Sequence, residues 1–236
     1  MARVSLRLLN VFALECDGVR LQLPTSAQRV IAFVALHNRP LRRPYVAGSL
    51  WLESPEDRAY ANLRSALWRL RRCGHHLVEA EGSELSLGRD VDVDLRELER
   101  LARSAVAGTA SDLLAVDASL LGSDLLPGWY DDWVLIEREH YRQMRLHALD
   151  ALCERLSAGG RLQEALEAGF AAVAGEPLRE SAQRALIRVH LAEGNVGEAV
   201  RQYRLYRRLL HEQLGIEPSR LMEELVSGLD RVETIR

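Results

Sequence analysis

The chain of 236 residues contains no lysine, so all 31 of its basic side chains are arginines. It also lacks any apolar run near the roughly 18 residues that a membrane-spanning helix needs. The longest apolar stretch, residues 30–36, has the length of a segment in a core helix. The apolar start of the chain is interrupted by Asn10 and followed by Glu15, which argues against a secretion signal. These absences predict a cytoplasmic protein that does not enter a membrane.

Cysteine is scarce, and Cys16, Cys73 and Cys153 are widely spaced without a CxxC pair. This pattern excludes a disulfide framework and favours a reducing compartment. Cys73 lies close in sequence to His75 and His76, which invites a zinc interpretation. The sequence shows no fourth ligand nearby, and neighbouring residues rarely share one tetrahedral site. We therefore expect no metal and no cofactor.

Motifs of the common enzyme classes are also missing, since there is no GxSxG, no P-loop and no GxGxxG. Asp131 and Asp132 could be read as a pair of catalytic carboxylates. Their neighbours Trp129 and Trp133 instead indicate the start of a helix with aromatic packing. We expect no enzymatic activity.

Charge is distributed unevenly along the chain, whose net charge is −3. Residues 1–92 hold 13 arginines against 10 acidic residues, whereas residues 93–236 hold 18 arginines against 24 acidic residues. The sequence pattern changes near the same point, from strands and helices to helices alone. We predict two domains, residues 1–92 and 93–236. A nucleic-acid function of the first domain would depend on where its arginines lie.

The order of elements in the first domain indicates a fold. Short strands are predicted within residues 1–24, with a turn at Asp17-Gly18. They are followed by a helix over 27–37 capped by Thr25 or Ser26, a short helix over 44–51, a long helix over 55–72 and a hairpin over 77–87. A sheet, two helices, a long helix and a hairpin are the order of a winged helix-turn-helix with an additional N-terminal sheet.

The long helix is the most informative segment. Ser54 is predicted as its N-cap and Pro55 as its first residue. At 100° per residue, its apolar side chains fall on one face: Ala59, Leu63, Ala66, Leu67 and Leu70. The other side carries the candidate DNA-binding residues Arg58, Asn62, Arg64, Ser65, Trp68, Arg69, Arg71 and Arg72.

The polar face of this helix has the chemistry that major-groove recognition uses. Arginine can bond guanine or a phosphate with its planar fork, asparagine can bond adenine, and serine can bond either a base or a phosphate. A solvated surface helix would carry the same charge, but the short helix before it and the hairpin after it favour DNA contact. We single out Arg64 and Arg69 as base readers. Trp68 could touch the DNA backbone or a sugar, or pack on the hairpin, and the sequence slightly favours packing.

Two further features concern the DNA backbone. Arg43 precedes the short helix and, with Arg39 and Arg42, could hold phosphates without reading sequence. The hairpin is acidic, and its glutamates would be repelled by phosphate unless they turn away or pair with arginine.

The second domain contains an internal repeat. Gly160, Glu164 and Ala165 recur 34 residues later as Gly194, Glu198 and Ala199. A helical period of 34 residues is that of tetratricopeptide repeats. We predict a mainly α protein, in which a winged domain with small β-sheets is followed by an all-α, tetratricopeptide-like domain.

Several stretches together resemble one known family. They are LRLLNVFALECDGVRLQLP, PYVAGSLW, ANLRSALWRLRR, VDVDLRELERL, LLPGWYDDWVLIERE, GRLQEALEAGFAAVAGEP and LGIEPS. The chain resembles the Streptomyces antibiotic regulatory proteins over nearly its whole length. The resemblance implies an OmpR-like winged helix followed by a bacterial transcriptional activation domain.

The resemblance also implies a function, a transcriptional activator that binds direct repeats in promoters of antibiotic biosynthesis clusters. Its partners would be double-stranded promoter DNA, a second copy of the chain on that DNA, and RNA polymerase holoenzyme. The base-reading positions map onto Arg58, Asn62, Arg64, Ser65, Arg69 and Arg72. The loop that faces polymerase maps onto Leu52, Glu53, Ser54 and Pro55.

An alternative of another class stays open. The chain could be a helical-repeat adaptor that binds a protein partner, with a winged domain that no longer binds DNA. The acidic second domain and the acidic hairpin are compatible with it. Salt-dependent DNA binding separates the two interpretations, because phosphate contacts release counterions.

Overall fold

A computed structural model describes residues 4–107 and 120–227. The chain forms two compact units. The first comprises residues up to Glu97 together with Asp124–His140, and the second comprises Leu98–Ser123 together with the chain from Tyr141 onward. The sequence boundary after residue 92 did not anticipate that residues 124–140 pack with the first unit, because hydrophobic periodicity carries no information about such long-range contacts.

The first unit contains seven strands and three complete helices among its described residues. In chain order these are β1 Val4–Arg7, β2 Ala13–Cys16, β3 Val19–Arg20, α1 Thr25–His37, β4 Leu41–Arg42, α2 Arg43–Leu50, α3 Glu56–Arg72, β5 Val78–Glu81, β6 Glu84–Leu87 and β7 Val91–Val93. The predicted small N-terminal sheets are thus confirmed, and together with the helices of the second unit they make the fold mainly α, as predicted.

The N-terminal sheet has the strand order β3-β2-β1-β7. Strands β1 and β2 are antiparallel, while β1 and β7 are parallel with Leu6 opposite Val93. The predicted Asp17-Gly18 turn joins β2 to β3, and both of its residues have positive φ, 48° and 80°. Strand β7 was not predicted, since three residues give almost no alternation and its partner lies far away in sequence.

The second sheet holds the predicted hairpin. Strands β5 and β6 are antiparallel, and β4 joins the other edge of β6 with Leu41 opposite Leu85. Helices α1, α2 and α3 pack on one another beside this sheet. The arrangement is that of a winged helix-turn-helix.

Two helices begin one or two positions away from their predicted caps. α3 begins at Glu56 with Pro55 in the N-cap position, and the Ser54 N–H donates to the Trp51 carbonyl 3.0 Å away. α1 follows Pro24 in the same way, with no side-chain cap from Thr25 or Ser26. Proline fits this position because its fixed φ suits the first turn and it has no N–H to leave unsatisfied.

The second unit is helical. Helices α4, Asp94–Ala107, and α5, Asp132–Ala158, both begin in the first unit and continue into the second. The second unit also contains a 3-10 turn at Leu120–Gly122, α6 Leu162–Gly175, α7 Glu180–Ala192, α8 Val196–Leu214 and α9 Arg220–Val226. Within this unit α6 packs on α7, and α7 on α8. No helix within residues 4–107 or 120–227 is both long and apolar enough to cross a membrane.

The 34-residue sequence repeat is also a repeat of backbone conformation. Gly160 and Gly194 precede α6 and α8 with φ of 75° and 77°. The next residue donates its N–H to a carbonyl five positions back in both loops, Arg161 to Leu156 at 2.9 Å and Asn195 to His190 at 2.8 Å. These bonds are the helix-ending pattern that favours glycine. The classification as tetratricopeptide-like stays a prediction.

Candidate nucleic-acid interface

The face of α3 that packs against the domain consists of the five apolar residues predicted from their spacing. Its buried side chains are Ala59, Leu63, Ala66, Leu67 and Leu70. They fix the helix against α1 and α2, and thereby fix which side chains point to solvent. The apolar spacing of the sequence was sufficient for this prediction, which is confirmed.

The outer face of α3 is positive. The five arginines predicted there, together with Ser65 and Trp68, are exposed, while Asn62 is half-buried. Within the described part of the chain, none of Arg58, Arg64, Arg69, Arg71 and Arg72 has a carboxylate within ion-pair distance. We define these five residues as the arginine face.

Three other arginines of the first unit do lie near a carboxylate. Arg7 pairs with Glu15 at 2.5 Å, and Arg29 pairs with Asp131 at 2.5 Å. Arg89 lies 4.0 Å from Glu79 of the hairpin. The arginine face is therefore a field of uncompensated positive charge on a rigid helix, which is what contact with a polyanion requires.

Trp68 does not pack on the hairpin as predicted. Its side chain is 57% exposed, and the guanidinium carbon of Arg72 lies 4.8 Å from its ring centroid. This cation–π contact orients Arg72. The sequence pattern favoured the hairpin as the partner of this ring and did not anticipate that Arg72, one turn later in α3, lies over it.

Arg42 and Arg43, at the start of α2, lie next to the hairpin, a contact that the sequence did not reveal. Arg42 stands opposite Glu84 in the β4–β6 ladder, and the Arg43 N–H donates to the Ser83 carbonyl at 2.9 Å. Arg39 and Arg42 are exposed, but Arg43 is half-buried. Of the three, Arg43 is thus the least accessible to a phosphate.

The acidic hairpin is only partly neutralised. Glu79 has Arg89 as a distant ion-pair partner, while Glu81 and Glu84 are exposed. Gly82 and Ser83 form an exposed tip. A phosphate approaching the hairpin would meet two carboxylates, so the arginine face is the stronger candidate for DNA contact.

The loop before α3 is exposed at its first residues. Leu52 is 70% exposed and Glu53 is exposed, while Ser54 is half-buried in the turn closed on Trp51. This loop borders a cleft of about 340 Å³ whose other wall comes from residues 130–133 of the same unit. Tyr130 on that wall is 80% exposed.

Residues 129–133 pack next to this loop because Arg29 contacts both of them. Its guanidinium pairs with Asp131 and donates to the Leu50 carbonyl at 2.6 Å. Trp129 stacks on Phe12 at 5.5 Å between ring centroids, and Trp133 meets Phe33 edge-on at 5.2 Å. The prediction that this cluster is aromatic packing at a helix start is confirmed.

The structure brings one unexpected residue to the Cys73–His76 cluster. The Cys16 thiol lies 3.6 Å from His75 Nδ1. Burial raises the pKa of the Cys16 thiol, with a further contribution from Asp17. Among the side chains that the structure describes, no three from histidine, cysteine, aspartate and glutamate are grouped so that they could hold a metal ion.

Comparison with known proteins identifies the family. The model of the bacterial transcriptional activator domain matches residues 89–229. The chain belongs to the bacterial transcriptional activator domain family. The family is one of transcriptional regulators, so the chain has a role in transcription regulation, and the expected resemblance to the antibiotic regulatory proteins is confirmed.

Two curated relatives of this activator-domain chain are regulatory proteins named AfsR. The one from Streptomyces coelicolor is 28% identical over 221 residues, and the one from Streptomyces griseus is 27% identical over 224 residues. Each alignment covers 89% of this chain and 22% of the relative. The chain thus spans about a fifth of the length of these relatives.

A solved structure shares the fold. Mycobacterium tuberculosis EmbR, determined in complex with a low-affinity phosphopeptide, matches with a TM-score of 0.78 at 21% identity. The match covers 100% of this chain and 67% of the EmbR chain. The likeness supports a winged helix followed by a helical domain.

Proposed function

We propose that the chain is a sequence-specific DNA-binding activator that reads the major groove of promoter DNA with α3. The observation that carries this proposal is the arginine face, five exposed arginines on one rigid helix without a carboxylate partner in the described ranges. Because its inner face is buried, α3 can present this face to DNA while it stays fixed to the domain.

The roles of individual residues follow from exposure. Arg64, Ser65 and Arg69 lie on the exposed side of the helix middle and are the proposed base readers. Arg58, Asn62, Arg71 and Arg72 flank them, and Trp68 holds Arg72. Arg42 and Arg39 are better placed than Arg43 to contact phosphates.

The resemblance to the antibiotic regulators supports a more specific role. We infer that the chain works in the cytoplasm, that two copies bind direct repeats in a promoter of an antibiotic biosynthesis cluster, and that they recruit RNA polymerase holoenzyme without chemistry of their own. The loop Leu52–Pro55 would face polymerase, and the exposure of Leu52 and Glu53 supports this.

The experiment is a gel shift of the full chain on the promoters next to its own gene, with Arg64→Ala and Arg69→Ala. Each change should weaken binding to the preferred site by about 1–3 kcal/mol, because a bidentate base contact is lost. Binding to unrelated DNA should weaken much less, which distinguishes base reading from a general charge effect.

A control matched to the combined variant Arg64→Ala/Arg69→Ala is Arg201→Ala/Arg220→Ala, which also removes two positive charges, but from the second unit. Both arginines are exposed and pair with glutamates of their own helices, and such pairs contribute little to stability. This control should bind the promoter like the wild type. Specific affinity that is unchanged in both α3 variants would refute the assignment of base readers.

The adaptor remains the second candidate, and the exposed carboxylates of Glu81 and Glu84 favour it. It predicts no specific DNA complex from folded protein, at any salt concentration. In that case, the full chain should be used to search for protein partners that bind its second unit.

A further inference from the structure

Helix α1 contacts the start of α5 through three residues on one of its sides. Arg29, Phe33 and His37 are spaced by four residues and therefore lie one above the other. Their partners follow in the same order along the chain: the Asp131 carboxylate at 2.5 Å, the Trp133 ring at 5.2 Å between centroids and the Glu137 carboxylate at 3.9 Å. The start of α5 is thus held along α1 within the first unit.

Arg29 differs from the other two residues because it also binds the backbone at the end of α2. Its Nη2 donates to the Leu50 carbonyl at 2.6 Å, and the same nitrogen contacts Asp131. Leu50 is the last residue of α2, and carbonyls at a helix end need partners from outside the helix. One nitrogen therefore joins α1, the end of α2 and the Asp131 carboxylate.

The backbone that Arg29 holds leads directly into α3. The guanidinium carbon of Arg29 lies 5.9 Å from the centroid of the Trp51 ring. The Trp51 carbonyl accepts from the Ser54 N–H at 3.0 Å, and α3 begins two residues later at Glu56. A shift at the end of α2 therefore reaches the start of α3 through one short turn.

The two bonds of Arg29 Nη2 depend on each other. Arg29 Nε is buried and has no acceptor among the described residues, which is unfavourable for a buried donor. If the Asp131 contact is lost, the guanidinium gains by turning toward solvent, and the Leu50 carbonyl then loses its donor as well. The carboxylate of Asp131 thus controls a bond that it does not itself make.

We propose that Arg29 is a positioning residue for α3, through which Asp131 sets the preference of the arginine face for promoter DNA. This inference rests on the proposed function of α3 as the helix that reads promoter DNA. Base contacts need side chains held to about 0.5 Å, whereas phosphate contacts carry no sequence information. A loosened turn therefore lowers specific binding more than binding to unrelated DNA.

The contact also gives the first unit a route for regulation. Helix α5 begins beside Arg29 and continues into the second unit. A partner that binds more tightly when the start of α5 is displaced would thereby weaken promoter recognition.

The test compares two neighbouring carboxylates in the full chain. Asp131→Asn breaks the ion pair with Arg29, whereas Asp132→Asn removes the same charge from an exposed carboxylate without an ion-pair partner in the described ranges. Loss of a negative charge alone would strengthen DNA binding slightly in both variants. We instead expect Asp131→Asn to weaken promoter binding about three- to tenfold, and Asp132→Asn to bind at least as well as the wild type.

Variants of Arg29 test the link from its other end. Arg29→Met keeps an apolar stem but loses both bonds, so its promoter affinity should fall at least as far as that of Asp131→Asn. Arg29→Lys supplies one nitrogen, and because one nitrogen serves both acceptors, its promoter affinity should stay within about threefold of the wild type. If Arg29→Met fails to fold by circular dichroism, Asp131→Asn and Arg29→Lys decide.

Hydrogen exchange of the free protein provides a readout that does not depend on DNA. The amides of residues 51–54 should exchange about three- to tenfold faster in Asp131→Asn than in the wild type, and at the wild-type rate in Asp132→Asn. Wild-type protein without a specific promoter complex would refute the proposed function, whereas faster exchange in Asp131→Asn would still support the hold of Arg29 on the turn.

Two results would overturn the positioning role. One is the same promoter affinity and the same exchange in Asp131→Asn as in Asp132→Asn. The other is Asp131→Asn protein that unfolds at a lower urea concentration but, while folded, keeps the wild-type preference for the promoter over unrelated DNA. In that case the pair of Arg29 and Asp131 contributes to stability alone.

Discussion

At the scale of single residues, the partners of a charged side chain determine its role. Asp94 illustrates a structural role, since its carboxylate accepts from the N–H groups of Leu8 at 3.0 Å, Leu9 at 3.0 Å and Leu95 at 2.8 Å. These bonds join the end of β1 to the start of α4 in the first unit. Burial raises the pKa of Asp94 even though the three bonds act in the opposite direction.

We predict that Asp94→Ala destabilises the chain by about 2–4 kcal/mol, because three partly buried N–H groups lose their acceptor. Asp94→Asn keeps one acceptor oxygen and should lose about half as much. Urea denaturation of both variants measures the difference. Equal stability of Asp94→Ala and the wild type would mean that these N–H groups find water instead.

Gly169 of α6 is a second residue whose role the structure defines. A Cβ at this position would lie 3.1 Å from Leu186 Cδ1 and 3.3 Å from Cys153 Sγ. Glycine therefore permits the close packing of α6 in the repeat. The sequence repeat marks the helices, but only the structure shows which atoms a larger side chain would meet.

We predict that Gly169→Val lowers the free energy of unfolding by about 1–3 kcal/mol through overpacking. Gly197 in α8 is the control, since a Cβ there would meet no atom within 4 Å. Gly197→Ala should be neutral or stabilising by up to about 1 kcal/mol. A Gly169→Val variant that melts like the wild type would show that Leu186 moves aside easily.

At the scale of elements, the last described helix depends on one carboxylate. Glu180 of α7 accepts from the Ser219 N–H at 2.8 Å and from the Ser219 hydroxyl, directly before α9. Tyr206 and Arg184 complete the group at 3.4 and 3.1 Å. Burial, followed by the charge of Glu180, raises the pKa of Tyr206 to about 12.

This cluster predicts a pH dependence. Burial alone would raise the pKa of Glu180, but its bonds with Ser219 and the charge of Arg184 outweigh burial and hold the pKa below 4.5. A carboxyl with a depressed pKa adds stability above its unfolded value of 4.5, and that stability is lost as pH falls through the folded value. Acid should therefore loosen α9.

We expect Glu180→Gln to be less stable than the wild type by about 1–2 kcal/mol at pH 7, because bonds to a charged acceptor are lost. The difference should shrink as pH falls from 4.5 through the folded pKa, because the wild-type carboxyl then becomes protonated as well. Denaturation over a series of pH values from 7 downward tests this. A difference that stays constant over the whole series would contradict the role of the charge.

The elements also show what the sequence could predict. The apolar spacing of α3, the Asp17-Gly18 turn and the β5–β6 hairpin are local signals, and all three predictions are confirmed. The strand β7, the pairing of β4 with the hairpin and the contact of Trp68 with Arg72 were missed. Each of these depends on a neighbour that the sequence does not specify.

At the scale of the whole molecule, the contrast in charge supports a division of labour. The first unit carries the arginine face, while five arginines in helices α7 to α9 of the second unit pair with carboxylates, namely Arg184, Arg188, Arg201, Arg207 and Arg220. A negative second domain would be repelled by DNA phosphates, which supports a role in contacts other than DNA. The exposure of the α3 arginines was predictable because amphipathic spacing determines which side of a helix faces solvent.

The central claim is that the arginine face binds promoter DNA, and it is tested most directly by the salt dependence of specific binding. The logarithm of the affinity should fall linearly with the logarithm of salt concentration, by about 0.9 per phosphate contacted. Arg64→Ala/Arg69→Ala should lose the preference for the promoter over unrelated DNA, while Arg201→Ala/Arg220→Ala should keep it. The account would be contradicted if folded protein bound all DNA equally or not at all.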